Sequence, residues 1–187
     1  NSPFYNGWRL VYFLNIFIIY FSTLQINNLL VYFNKNRLKS NLFRIIFIVS
    51  VLHNITVLIS YHPFQSYYFT ELISKKKKNS FEIDYHGLSA KHFFLKLNTD
   101  HKDTFFKVAV ASHTPLHRGL ESIESNIRKK FNVIGQNYGN ADYIYKNNIS
   151  EVNSKLNKKY DIPSNFVKVY ELNVNGVKIY EIFKNLK

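Results

Sequence analysis

A membrane α-helical hairpin followed by a small mixed α/β (α+β) domain, with a mixed sheet and a C-terminal β-hairpin, is the fold class this sequence predicts. Three observations predict it. Two long tracts in the first third carry no charge, every acid lies in the remainder, and an Asn-Gly pair separates two β-rich runs near the end.

Residues 10–34 contain no charged side chain, and neither do residues 45–70. A hydrocarbon core about 30 Å thick needs about 20 mainly apolar residues in a helix, because backbone groups in lipid must bond one another. Spans over about residues 10–33 and 43–61 follow. Asn15, Gln25, Asn27, Asn28, His53 and Asn54 interrupt them. Polar residues at membrane depth face other helices or a cavity, so these spans are expected to belong to a larger bundle. The competing reading is a pair of buried helices in a soluble core. A signal peptide fits less well, since no small-residue cleavage site follows the first apolar run.

The connection "NKNRLKSNLFR" carries Lys35, Arg37, Lys39 and Arg44. Short basic loops stay cytoplasmic, which places residues 1–9 and everything after residue 61 on the opposite face. Lys75, Lys76, Lys77 and Lys78 oppose that assignment, lying close behind the second span. They read either as contacts to anionic headgroups, worth about 1 kcal/mol per cation near the surface, or as a solvated loop.

Residues 62–187 read as an extracytoplasmic soluble domain. "SFEIDY" alternates Phe81, Ile83 and Tyr85 against Glu82 and Asp84, a period-two strand pattern that points both acids at solvent. "GLSAKHFFLKLN" predicts a helix with Ser89 as N-cap and Phe93, Phe94 and Leu97 on one face. "FFKVAVAS" is a compact buried strand. "LHRGLESIESNIRKKF" predicts one helix with Leu116, Leu120, Ile123 and Ile127 spaced three and four apart. "ADYIYKN" is a further strand, and "FVKVYELNVNGVKIYEIF" a hairpin about Asn175-Gly176. The order β-α-β-α-β-β-β implies helices packed on a mixed sheet.

Composition narrows the chemistry. No cysteine occurs, which removes disulfides, thiolate catalysis and zinc–thiolate sites. No methionine occurs either, so the chain is read as a piece of a longer one. The net charge of +13 would suit nucleic acid, but residues 62–187 set their 20 cations among all 12 acids, with no basic helix, so no nucleic-acid partner is expected. There is no Gly-rich phosphate loop, nucleophile elbow or HExxH helix. His113 and His117 have i, i+4 spacing, but Pro115 starts a helix between them and spoils the shared face, so no metal site is assigned.

Arg9 lies at the outer end of the first span beside Tyr5 and Trp8, residues suited to the interface. Its guanidinium reads either as a fork for a phosphate or as a snorkelling end-of-helix cation. Beyond the second span, His62-Pro63 stops the helix, and "FQSYYF", with Tyr67, Tyr68 and Phe69, is read as an aromatic interface anchor.

Several blocks together resemble the closing portion of bacterial membrane proteins related to glycosyltransferase family 39, the dolichyl-phosphate-mannose–protein mannosyltransferases of the GT-C superfamily. They are "YNGWR-VYF" at residues 5–13, "HPFQ--YF" at 62–69 and "FEIDYHGLS" at 81–89, with "ADYIYKN" and "NGVKIYEIFK" behind them. The corresponding family patterns run Y-D-G-W-R-H-x-Y-F, H-P-Y-Q-x-x-Y-F-N and F-E-x-D-Y-W-G-L-S. Asn6, Leu10, Thr70 and His86 depart from them.

The resemblance implies an integral protein of the bacterial inner membrane with a periplasmic C-terminal domain. It implies sugar transfer from a polyisoprenyl-phosphate donor, with a missing N-terminal transmembrane bundle and membrane lipid as the other partners. The catalytic acids, and any divalent metal, would lie in an early outer loop upstream of this chain. The piece alone would then be inactive and hold no cofactor. It makes Arg9 a donor-phosphate contact. His62, Pro63, Gln65, Asp84, Tyr85, Gly87 and Ser89 become family-motif positions, structural rather than catalytic. The alternative is a non-enzymatic, membrane-anchored binding domain.

Overall fold

The computed structural model describes residues 14–69, 72–78, 81, 83, 84, 87–101, 104–149 and 158–187. The chain divides into two compact units, residues 1–59 and 60–187.

In the first unit, α1 (Leu14–Asn34) and α2 (Arg37–Ser60) form an antiparallel hairpin with a two-residue connection. Both are long and apolar enough to cross a membrane. The second helix starts earlier than the sequence suggests, so Arg37, Lys39 and Arg44 are helical rather than in a loop. Asn36 accounts for this, because its Oδ1 accepts the Leu38 and Lys39 amides at 3.1 and 3.3 Å and so caps the first turn. Of the residues in the two helices only Ser40 is buried. Ile16, Ile19 and Ile59 are 71%, 65% and 71% exposed, which gives these helices no protein core to belong to. Their small polar groups are satisfied within the helix: Thr23, Ser50 and Thr56 donate to the carbonyls four residues back, and so does Asn54 Nδ2, to Ser50 O at 2.8 Å. One of the two Asn54 amide hydrogens is thus met within its own helix.

The second unit carries four helices and a five-stranded sheet. The helices are α3 (Lys75–Lys78), α4 (Ser89–Asp100), α5 (Leu116–Glu121) and α6 (Ser125–Arg128). The strands are β1 (Phe106–Val110), β2 (Phe131–Val133), β3 (Tyr143–Asn147), β4 (Phe166–Val174) and β5 (Val177–Asn185), in the spatial order β2-β1-β3-β5-β4. β1 is parallel to β2 and β3, whereas β5 is antiparallel to β3 and β4, so the sheet is mixed. The hairpin turn is Asn175-Gly176, with φ of 48° and 80°, the double positive value that a type I′ turn requires.

Successive side chains of a strand point to opposite faces, and both faces of this sheet are covered. On one side Tyr143, Tyr145, Tyr180 and Ile182 meet Phe93, Phe94 and Leu97 of α4 and Leu116 of α5. On the other, Ala109, Ala111, Ala141, Ile144 and Phe166 pack together with Ile134, Tyr138 and Ile162. Phe93 is the hub of the larger cluster, its ring lying 5.0 Å from Phe94, 5.2 Å from Tyr145 and 6.3 Å from Tyr180, all edge-on.

Four local expectations are corrected. Phe81, Ile83 and Asp84 are in no strand; Asp84 has φ of +66° and the chain turns there. The fifth strand is instead β2, which begins at Phe131, the last residue of the stretch read as one helix. That stretch forms two short helices, α5 and α6, because the chain leaves helical geometry at Glu124, where ψ is 144°. The lysine run is a helical turn rather than a solvated loop. Lys78 is buried, with Nζ donating to Phe69 O at 3.5 Å. The Lys75 stem lies over the hairpin turn, 3.2 to 3.3 Å from where a Cβ on Gly176 would stand.

Because Phe93 is fully enclosed, Phe93→Ala is expected to destabilise the second unit by about 3–5 kcal/mol. Chemical denaturation of the whole chain in detergent, followed by circular dichroism, measures it.

Candidate functional site

Of the motif positions picked out in the sequence, Tyr67 and Ser89 meet at the Asp84 carboxylate, which is 1% exposed. Three residues reach it from three separate parts of the chain. Tyr67, in the 3-10 turn Gln65–Tyr67, donates its hydroxyl to Oδ1. Ser89, the first residue of α4, gives its amide to Oδ1 at 3.1 Å and its hydroxyl to Oδ2 at 2.6 Å. Tyr145, in the middle of β3, donates to Oδ2 at 2.7 Å. Asn147, the last residue of β3, adds its Nδ2, 3.2 Å from the Asp84 carbonyl and 3.3 Å from Oδ2. The same amide donates to Thr114 Oγ1 at 2.7 Å, and Ser112 Oγ also donates to Thr114 Oγ1 at 2.9 Å.

A carboxylate without water or a cation must accept hydrogen bonds on both oxygens to be tolerated, and the motif supplies them. The backbone is shaped for it. Asp84 adopts the left-handed region, which aspartate tolerates better than most residues. Three residues on, Gly87 has φ of +66°, and a Cβ there would sit 2.4 Å from Thr114 Cγ2, so only glycine fits. Gly87 N returns a bond to the Asp84 carbonyl at 2.8 Å, closing the turn.

Ser89 is therefore not the N-cap expected from the sequence. It is the first helical residue, and Asp84 Oδ1 serves as the remote cap that accepts its amide. Asp84 does not face solvent either. Its turn lies against the carboxyl end of β3 and the segment after β1, with Ile83 N donating to Asn148 O at 2.8 Å. Open α/β sheets take ligands in the crevice beyond the carboxyl ends of their parallel strands. Here the chain's own loop fills it.

The remaining sequence-predicted positions distribute as follows. His62 is joined to Pro63 by a cis peptide bond, and its Nδ1 lies 2.9 Å from Gln65 Nε2. Tyr67 is buried in the core, so its ring is not free to anchor an interface. Phe69 is half-buried and stacks on Phe81 at 5.2 Å, whereas Tyr68 is exposed on the surface, edge-on to Tyr61 at 5.3 Å. Tyr5, Trp8, Arg9, Glu82 and Tyr85 lie outside the described residues. Sequence reading missed Tyr145 and Asn147 as partners of Asp84. Their signal is two polar side chains in an otherwise apolar strand, each needing a buried partner.

Burial, then the Asp84 charge, pushes the Tyr67 and Tyr145 phenols well above the usual range. Neither hydroxyl is set to lose a proton, and with the carboxylate enclosed the arrangement offers no open face for proton transfer. It acts as a structural knot. Among the described residues no three of His, Asp and Glu come together as a metal site. No protein-family model, curated protein or solved structure matches the chain.

Two predictions follow from the knot. Asp84→Ala leaves several buried donors unpaired and is expected to cost about 3 kcal/mol or more, with Asp84→Asn, which keeps one acceptor, costing less. The raised phenols hold their protons more tightly in the folded chain than in the unfolded one. Their contribution is therefore fully present below pH of about 10 and is lost as pH rises above it. Denaturation midpoints recorded from pH 8 to 12 should fall on the alkaline side, and fall less for Tyr67→Phe.

Proposed function

We propose that this chain is the closing part of an integral-membrane glycosyltransferase resembling glycosyltransferase family 39, which transfers a sugar from a polyisoprenyl-phosphate donor. In this reading α1 and α2 span the bacterial inner membrane, with Lys35, Arg37, Lys39 and Arg44 on the cytoplasmic side. The second unit then lies on the periplasmic face, and the catalytic acids and any divalent metal belong to the upstream bundle.

The observation that carries this reading is the convergence of the resemblance blocks. "HPFQSYYF" gives Tyr67, "FEIDYHGLS" gives Asp84 and Ser89, and "ADYIYKN" gives Tyr145 and Asn147. "NGVKIYEIFK" is the strand paired with β3, setting Ile182 opposite Tyr145 and Tyr180 opposite Asn147. The blocks stand up to 63 residues from Asp84 along the chain and close on its one carboxylate, which supports reading them as parts of one signature.

Arg9 is assigned to the donor phosphate, where its planar fork donates to two oxygens at once in a water-poor setting. The enclosure of Asp84 agrees with the structural role it has in this reading and fits equally the non-enzymatic alternative, a membrane-anchored binding domain. A coding sequence upstream with many more spans and an acidic pair in its first outer loop supports the transferase over the anchored binder.

The test is sugar transfer from a radiolabelled polyisoprenyl-phosphate donor by the protein as its cell makes it. Hydrogen bonds to charged groups are worth about 1.5–3 kcal/mol, so Arg9→Ala should slow transfer by roughly 10- to 100-fold. Arg9→Lys keeps the charge but loses the fork, and should fall in between. Unchanged transfer by both variants removes Arg9 from the mechanism.

A further inference from the structure

The helix hairpin carries cations at its connecting end and no acid anywhere. Lys35, Arg37, Lys39 and Arg44 cluster there, while residues 1–61 contain no Asp or Glu, so no carboxylate of this unit can neutralise them. Arg44 reaches furthest along α2. It stands seven residues past Arg37, about 10 Å along the helix axis, and the uncharged tract begins at the next position. Its side chain is exposed.

Arg44 lines a groove of about 310 Å³ between α1 and α2. The other walls are Ile26 and Leu30 of the first helix and Phe43, Phe47 and Ile48 of the second. Residues three and four apart share a helix face, which aligns 26 with 30 and 44 with 47 and 48. The groove therefore runs along the hairpin, away from the basic end, with a single guanidinium on otherwise apolar walls. Phe43 also packs on Phe33, ring centres 5.7 Å apart, which holds the two helices together beside their connection.

This lining selects an occupant. It must bring an apolar chain and, beside Arg44, a negative charge. A guanidinium forks onto phosphate oxygens, and the pairing is strong where water is scarce. Basic pockets between spanning helices take acidic lipid headgroups in this way. A second copy of the hairpin supplies no acid and would leave Arg44 covered without a partner. A zwitterionic phospholipid supplies the phosphate together with an ammonium, which the clustered cations repel.

We infer that the groove between α1 and α2 is a binding site for one anionic phospholipid, its phosphate on Arg44 and one acyl chain along Ile26, Leu30, Phe47 and Ile48. The inference rests on the two helices lying in lipid, which the transferase proposal shares, and is independent of sugar transfer.

The test is native mass spectrometry of the whole chain in a neutral polyoxyethylene detergent. Phosphatidylglycerol and phosphatidylcholine with the same acyl chains are titrated in turn, and inorganic phosphate stands for the headgroup without a chain. One phosphatidylglycerol per chain is expected, held about tenfold more tightly than phosphatidylcholine, with inorganic phosphate not retained. Arg44→Gln should weaken the phosphatidylglycerol complex by roughly tenfold, the loss of one charge-assisted hydrogen-bonded pair. Ile26→Trp, which fills the groove and leaves the charge alone, should weaken it as well. Lys39→Gln removes the same charge from the same end of α2, but five positions before Arg44 and so roughly 140° round the helix. It should leave binding unchanged. Circular dichroism shows whether each variant keeps its helices, and if one loses them the other decides.

Equal retention of the two lipids overturns the inference. So does equal weakening by Arg44→Gln and Lys39→Gln, which marks diffuse surface charge, or indifference to Ile26→Trp, which leaves the groove without a chain. Lipid-free pairs of chains that the Ile26→Trp substitution dissociates overturn it too, because a second copy then covers the groove. Arg9 variants are read by sugar transfer and Arg44 variants by lipid retention, so either reading can fail without the other.

Discussion

The second unit depends on one buried carboxylate. Removing Asp84 from water costs several kcal/mol unless both oxygens are bonded, and the donors come from a 3-10 turn, a helix start and a central strand. The carboxylate therefore joins pieces of chain that have few other reasons to meet. It sets where α4 begins, holds the segment that follows α2 in the core through Tyr67, and ties both to β3. The glycine at 87 and the left-handed backbone at 84 are the local conditions that allow it.

The two units answer to different solvents. In the first, apolar side chains point outward all round and the small polar groups bond to their own helix, the pattern expected where water is absent. In the second, apolar side chains pack on both faces of the sheet, and among the described residues the charged groups lie at the surface, apart from Asp84, Lys78 and the paired Glu181. Confining all twelve acids to residues 62–187 is the sequence-level form of this division. An anionic side chain is tolerated only where water or a set of fixed donors receives it.

Features set by local chemistry were legible in the sequence. Asn175-Gly176 predicts its turn because both positions need positive φ, and the uncharged tracts predict long apolar helices by length alone. The stretch at 81–85 was not legible as a turn, since its alternation imitates a strand. Asp84 and Gly87, two residues that tolerate left-handed backbone, were the contrary signal. β2 was hidden because Phe131 continues the three- and four-residue spacing of Leu116, Leu120, Ile123 and Ile127, a run the backbone interrupts at Glu124. Of the site, the members inside one motif were visible. Tyr145 and Asn147 were not, because their meeting with Asp84 spans 61 and 63 residues and no periodicity reports contacts at that range.

The turn at Asp84 plugs the crevice at the carboxyl end of β3, and an open hollow lies at the strand's other end, roughly 13 Å away at about 3.3 Å per residue. All of it requires that the Tyr67–Asp84 bond carry energy and not merely proximity. The most direct measurement is a double-mutant cycle of Tyr67→Phe and Asp84→Asn, read by denaturation of the whole chain in detergent. The bond as described predicts a coupling of about 1.5–3 kcal/mol. Additivity of the two substitutions within about 0.5 kcal/mol would contradict it.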